Sequence, residues 1–165
     1  MIRPPHAIVA IGIMLAIGGA AACSAGGGAE APSAADCRVT IPADLIQRPA
    51  RWLGDCIKSR AEGLGVLRLG KAEPYQFFLG RMAGGRPVQG VLKVNGSQLI
   101  PAYRFDPEWR GVVPEADRPE QLTQVFRTGS AGASAAARRF ASQGNAGSAA
   151  YYRKLAEDYR TPPFE

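Results

Sequence analysis

Asp106 and Glu108 flank Pro107 in the stretch AYRFDPEWRG, residues 102–111. Two carboxyl groups held either side of a bond are what glycoside hydrolysis requires. The pair therefore defines one candidate chemistry, a carboxylate enzyme acting on the cell wall. The same stretch interleaves Tyr103, Phe105 and Trp109 with Arg104 and Arg110. That composition suits a binding edge, with aromatic faces for a sugar or peptide and guanidinium groups for carboxylates. A plainer reading makes Asp106-Pro107 a turn and the aromatics the core of the last hairpin, and this is the expectation carried forward. Other catalytic plans are short of parts. His6 is the single histidine and lies in the N-terminal segment expected to be removed, just ahead of an apolar run. Once that region is removed, no imidazole remains for a Ser-His or Cys-His pair or for metal ligation. No glycine-rich phosphate loop opens a helix with a lysine in place. Neither a cofactor nor a metal is expected.

The N-terminal region decides where any of this operates. Residues 7–22, AIVAIGIMLAIGGAAA, form an uncharged apolar run of 16 that follows Arg3. As a helix it would reach roughly 24 Å, short of a hydrocarbon layer of roughly 30 Å. No basic cluster follows it. A charged start, a short apolar middle and small residues at the end describe a secretory signal peptide, residues 1–22. An uncleaved anchor helix is the alternative.

The residues AAAC, 20–23, resemble the lipobox of bacterial lipoproteins. The resemblance implies that Cys23 carries lipid and becomes the first residue of the mature chain. Ala20 stands where that motif most often has leucine, and ordinary cleavage after an Ala-x-Ala pattern would instead release a periplasmic protein. Residues 24–36, SAGGGAEAPSAAD, hold no large apolar side chain. With Cys23 they read as a flexible linker, 23–36. Ser24 replaces the aspartate that resembles an inner-membrane retention signal in some bacteria. The expected address is thus a lipid anchor on the periplasmic face of the outer membrane, in preference to the inner.

If Cys23 carries lipid, Cys37 and Cys56 remain, and an oxidising compartment favours a disulfide between them. The alternative is a buried free thiol at Cys56. Losing Arg3 with the leader lowers Lys+Arg from 20 to 19 against 14 acidic residues, leaving about +5. That excess fits an anionic cell-wall polymer, an envelope protein or lipid heads as partners. Nucleic acid is rejected, since no basic run or recognition motif is present.

The elements that would position these groups begin with a repeat. WLGDCIKSRAEGLGVLRL, residues 52–69, and FLGRMAGGRPVQGVLKV, residues 78–94, share aromatic-Leu-Gly, a Cys/Met, an arginine and Gly-Val-Leu-basic. The offset is 26 residues through the arginine and 25 from Gly-Val-Leu onward. Trp52, Gly54 and Cys56 share one face of a strand, as do Phe78, Gly80 and Met82. Period-two alternation after a polar gap makes each copy a hairpin. Glycine inside a strand leaves room for a flat ring, here expected from a neighbouring hairpin. A third, degraded copy is read in NGSQLIPAYRFD, residues 95–106.

This pattern resembles the MORN repeat, whose glycine- and aromatic-bearing hairpins stack into an elongated sheet. The likeness covers about residues 51–100, with a longer spacing and with Trp or Phe in place of Tyr. It implies a scaffold for binding or assembly and brings no catalytic residues. An unrelated β-meander is the alternative.

Past residue 113 the spacing turns helical. Asp117 and Pro119 open a short helix bearing Leu122, Val125 and Phe126, expected to stop near Gly129. Ser130 starts a second, with Ala133, Ala136, Ala137, Phe140 and Ala141 on one face. Asn145 caps a third, in which Arg153–Glu157 and Lys154–Asp158 stand i,i+4. These helices either cover one face of the sheet or serve as a free partner-binding arm.

The sequence therefore predicts an α+β chain: an antiparallel hairpin-repeat region, 37–112, followed by a helical region, 113–165. Function is expected to be non-catalytic binding or scaffolding from a lipid anchor in the cell envelope. The rivals are the Asp106/Glu108 enzyme and an assembly subunit with an open sheet edge. Candidate residues are Cys23 for lipid, Cys37 and Cys56 for the crosslink, and Tyr103, Arg104, Trp109 and Arg110 for contact.

Overall fold

The computed structural model describes residues 37–163. The leader, Cys23 and the linker lie outside the described residues. Six strands form one antiparallel sheet: β1 (Ala50–Trp52), β2 (Asp55–Ile57), β3 (Arg60–Leu69), β4 (Gln76–Ala83), β5 (Arg86–Lys93) and β6 (Leu99–Ala102). Their order is β1-β3-β4-β5-β6, and β2 pairs with β3 beyond β1. A second small sheet joins β7 (Arg104–Phe105) to β8 (Gly111–Val112). Two helices follow, α1 (Pro119–Ser142) and α2 (Ala146–Asp158). The class is α+β.

Both repeated segments are hairpins. β2 turns into β3 through Lys58 and Ser59 at φ 49° and 58°, and β4 turns into β5 through Gly84 and Gly85 at φ 56° and 83°. Two successive left-handed residues give the turn whose twist matches the flanking strands. The change in offset from 26 to 25 has a visible origin. Between the pairs Trp52↔Leu67 and Asp55↔Glu62, β3 takes five residue steps against three on the opposing chain. Between Arg81↔Gln89 and Met82↔Pro87, β5 takes two against one. The first hairpin thus carries one more bulged residue than the second. The third segment makes no hairpin of this kind. It lends β6 to the main sheet, and β7 leaves to pair with β8.

The glycines have a common cause. Gly65 pairs with Gly80, and Gly80 with Gly90, forming a row across the sheet. A β-carbon on Gly54 or Gly65 would stand 2.6 Å or 2.7 Å from the Trp52 ring, and one on Gly80 or Gly90 2.8 Å from the Phe78 ring. Each ring therefore lies over the glycine pair of its own hairpin, not a neighbour's as the repeat suggested. The reason is reach: a side chain two residues back on the same strand leans along that face. Trp52 and Phe78 are fully buried by this arrangement. Burial of each contributes on the order of 2–3 kcal/mol.

Both faces of the sheet are covered. On the ring-bearing face, Leu45 joins Trp52, Leu67, Phe78, Met82 and Leu92 in one core, with Phe105 packed at its margin. Gln76 ties that N-terminal cover down. Its buried Oε1 accepts from the amides of Ile46 and Gln47, both at 2.9 Å, while Nε2 donates to the Val94 carbonyl at 2.7 Å. A disulfide joins Cys37 to Cys56 across a Cα separation of 5.7 Å, so Cys56 is not a free thiol. On the other face, Val66, Phe77, Leu79 and Val91 meet Val125, Phe126, Ala133 and Ala136 of α1 and Tyr152 and Leu155 of α2. The helices are therefore a cover of the sheet and not a free arm.

The helical region differs from expectation at its first break. Gly129 stops nothing: α1 runs unbroken for 24 residues. Gly129 and Gly132 are both buried against the sheet, where small residues let the helix approach the strand backbone. Asp117 does not cap α1; the N-cap is Arg118, without a side-chain cap bond, and Pro119 opens the first turn. Asn145 does cap α2, its Oδ1 accepting from the Ser148 amide at 3.0 Å. Lys154 and Asp158 pair at 3.0 Å, whereas Glu157 bonds Arg160 at 2.8 Å and not Arg153.

Candidate functional site: an arginine-lined cleft between the sheet and α1

Alternation along β3, β4 and β5 sends Leu64, Arg81 and Gln89 toward the side of the sheet on which α1 lies. Near the bulge of β5, Val88 joins them. The helix contributes Gln124, Arg127 and Thr128, one turn apart, and the chain leaving β6 contributes Tyr103 and Arg104. Together these line a cleft of about 680 Å³. Thr128 Oγ1 donates to Gln89 Oε1 at 2.9 Å, which ties helix to sheet at the floor. Gln89 Nε2 lies 3.5 Å from the Tyr103 carbonyl oxygen.

The electrostatics of the cleft are one-sided. Arg81, Arg104 and Arg127 converge there, and no carboxylate is among the lining residues. None of the three enters a salt bridge among the described residues. Leu64 and Val88 expose 37% and 39% of their surface beside these cations. Solvated guanidinium groups next to exposed aliphatic side chains suit an anion that also carries an apolar portion, and the planar fork suits a carboxylate or phosphate.

The four contact residues read from the sequence are divided by the fold. Tyr103 and Arg104 line the cleft. Tyr103 packs against the helix-side core, so it is both core and cleft wall. Trp109 and Arg110 lie instead on the turn between β7 and β8, with Trp109 at φ 64°. The Trp109 ring receives the Arg86 guanidinium at 5.8 Å. AYRFDPEWRG is thus not one continuous edge, because the β7–β8 hairpin folds its second half away from its first.

Asp106 is occupied by that turn. Its Oδ1 accepts from the Arg110 amide at 2.7 Å and its carbonyl oxygen from the Trp109 amide at 3.0 Å. Glu108 is exposed on the same turn. Neither carboxylate lines the arginine cleft.

Arg81 and Arg127 were not singled out from the sequence. The cleft draws on residues from 64 to 131, and only the packing of α1 across β3, β4 and β5 brings them together. The available signal was Arg81, a cation at a strand position whose neighbour two residues earlier, Leu79, is core.

Among the described residues no cluster of histidine, cysteine and carboxylate has the composition to hold a metal ion, and no helix is long and apolar enough to cross a membrane. The fold and cleft define an α+β module: a hairpin sheet clasped between an N-terminal strap and a helical pair, with a cationic cleft along one side. No family model, curated protein or solved structure matches the chain.

Proposed function

We propose that this chain is an exported, lipid-anchored envelope protein, and that residues 37–163 act as a non-catalytic module binding an acidic envelope component. The observation that carries the reading is the convergence of Arg81, Arg104 and Arg127 beside Leu64 and Val88, with no acid in the lining. The ligand class is a carboxylate- or phosphate-bearing molecule with an apolar part, such as an acidic cell-wall fragment or an acidic segment of an envelope protein. Asp106 and Glu108 support this reading over the carboxylate enzyme, since one is a turn acceptor and the other is exposed outside the cleft. Anchoring through Cys23 rests on the leader and the AAAC sequence. The Cys37–Cys56 bond supports export, because such crosslinks persist in oxidising compartments. The two hairpins, each with a ring over its own glycines, support the likeness to MORN repeats as a rigid scaffold for the cleft.

Titration with an acidic muropeptide and with its amidated, uncharged counterpart tests the cleft. Binding of the acidic form alone is expected. It should weaken at least tenfold in Arg104→Gln/Arg127→Gln, since a charge-assisted hydrogen bond contributes about 1.5–3 kcal/mol. Equal binding of both forms, or no effect of the substitutions, would remove the cleft from the account. Labelling with a palmitate analogue, compared with Cys23→Ala, tests the anchor separately.

A further inference from the structure

Both hairpin turns meet the start of the domain at one end of the sheet. The Arg38 amide donates to the Ser59 carbonyl at 3.0 Å, and the Thr40 amide to that of Gly85 at 2.6 Å. The disulfide from Cys37 to Cys56 fixes the point at which the preceding chain joins. Around that point Arg38, Arg60 and Arg86 line a concavity of about 230 Å³ with Thr40 and the Gly84–Gly85 turn. Arg60 and Arg86 occupy equivalent positions in the two repeats, so the duplication itself doubles the charge here. No carboxylate lines the concavity. Of the acids nearby, Glu62 accepts from the Gly84 amide at 2.7 Å, and Glu108 is exposed on the turn whose Trp109 meets Arg86. None of the three arginines enters a salt bridge among the described residues. Lys58 is exposed at the adjoining turn, and Ile57, the strand partner of Arg60, exposes 56% of its surface.

We propose that this basic end docks on the anionic phospholipid headgroups of the membrane that carries the protein. The membrane's identity rests on the anchoring reading above; the docking surface does not. Thirteen residues separate Cys23 from Cys37, a reach of about 40 Å when extended. A lipid at Cys23 would therefore hold this end of the domain at high effective concentration near the headgroups. Basic side chains within a Debye length of an anionic surface are attracted to it, and the attraction fades with salt. Cations spread over three chain segments beside an exposed isoleucine match a surface of many headgroups better than one small anion.

Trp109 reports on this end because Arg86 lies against its ring at 5.8 Å, whereas Trp52 is buried. The native protein, mixed with vesicles of neutral phosphatidylcholine or of phosphatidylcholine with phosphatidylglycerol, each containing a headgroup-quencher lipid, provides the test. Quenching of Trp109 is expected to be greater on the anionic vesicles. The excess should disappear in Arg60→Gln/Arg86→Gln and at high salt, and return in Arg60→Lys/Arg86→Lys, which keeps the charge. Arg138→Gln/Arg153→Gln, on the helical face, should retain it. Equal quenching on both vesicles, or equal loss in the two glutamine pairs, would overturn the proposal. So would suppression of the excess by inorganic phosphate at matched ionic strength, which would mark a free-anion site. The mass of the Cys23 peptide reports lipidation independently of this readout.

Discussion

Gly132 of α1 rests on Gly80 of β4. A β-carbon on Gly132 would stand 2.7 Å from the Gly80 nitrogen and 2.5 Å from the Gly65 oxygen. The helix is therefore seated against the strand backbone itself. Gly132→Ala would raise helix propensity by about 1 kcal/mol, but the methyl group meets main chain, which cannot rotate away, and overpacking costs about 1–3 kcal/mol or more. The packing term wins, so a net loss of about 1–2 kcal/mol is expected in urea unfolding. Gly147→Ala is the control: its β-carbon would meet nothing nearer than Asn145 Oδ1 at 4.0 Å, and a gain of up to about 1 kcal/mol is expected.

Gly80→Ala should be costly for a second reason. The methyl group would press on the Phe78 ring at 2.8 Å as well as on the Gln89 carbonyl. A loss of about 2–4 kcal/mol is expected. Phe78→Leu alone opens a void over the glycine pair and destabilises too. Combined, the two changes should cost less than their sum, because the smaller side chain relieves the ring contact, while the contacts to the Gln89 carbonyl and the Gly90 backbone remain and keep the double variant destabilised. Additive losses in a double-mutant cycle would contradict the direct ring-over-glycine contact.

Removing the crosslink should lower stability without changing the sheet. The bonded cysteines are 19 residues apart, a loop whose closure contributes about 3 kcal/mol in the chain-entropy account. Cys37→Ser/Cys56→Ser is expected to lose an amount of that order in urea, and the wild type to lose the same amount in reductant. A smaller effect of reductant would show that the bond stays protected from it.

Alkaline pH should unfold the helical cover. Burial pushes the phenols of Tyr152 and Tyr159 up to about 12, against roughly 10 in an unfolded chain. The neutral form is favoured in the folded state, so the stabilisation is fully present below about pH 10. It is lost as pH rises toward about 12, where the unfolded chain has released protons that the folded one retains. Absorbance titration of the phenolates should show Tyr152 and Tyr159 ionising last, with Tyr151 also delayed by its burial, and all three becoming ordinary in denaturant.

The hairpins were legible because glycine, aromatic and apolar positions recur at a fixed offset, and each has a local physical cause. The Gly84–Gly85 turn announces itself through residues free to adopt positive φ. Its counterpart at Lys58–Ser59 does not, since neither residue type favours that conformation. Gly129 misled for the same reason in reverse: in a sequence it reads as a helix stop, whereas here it faces Val91 with a would-be β-carbon contact at 3.1 Å. Tyr103 and Arg104 were found because aromatic and basic residues alternate locally. Arg81 and Arg127 were not, because their convergence depends on how a helix crosses three strands.

The ring-over-glycine pairing also bears on how such a chain changes over generations. Each hairpin carries both its wedge and its slot, so copying one unit in the gene adds two strands without requiring a matching change elsewhere. The cover sets the ceiling. A helix of 24 residues is about 36 Å long, while five strands span about 19 Å between the outermost axes. Strands added by a further copy would bury their apolar side chains on that face only where the helices extend over them, so a larger sheet calls for a larger lid.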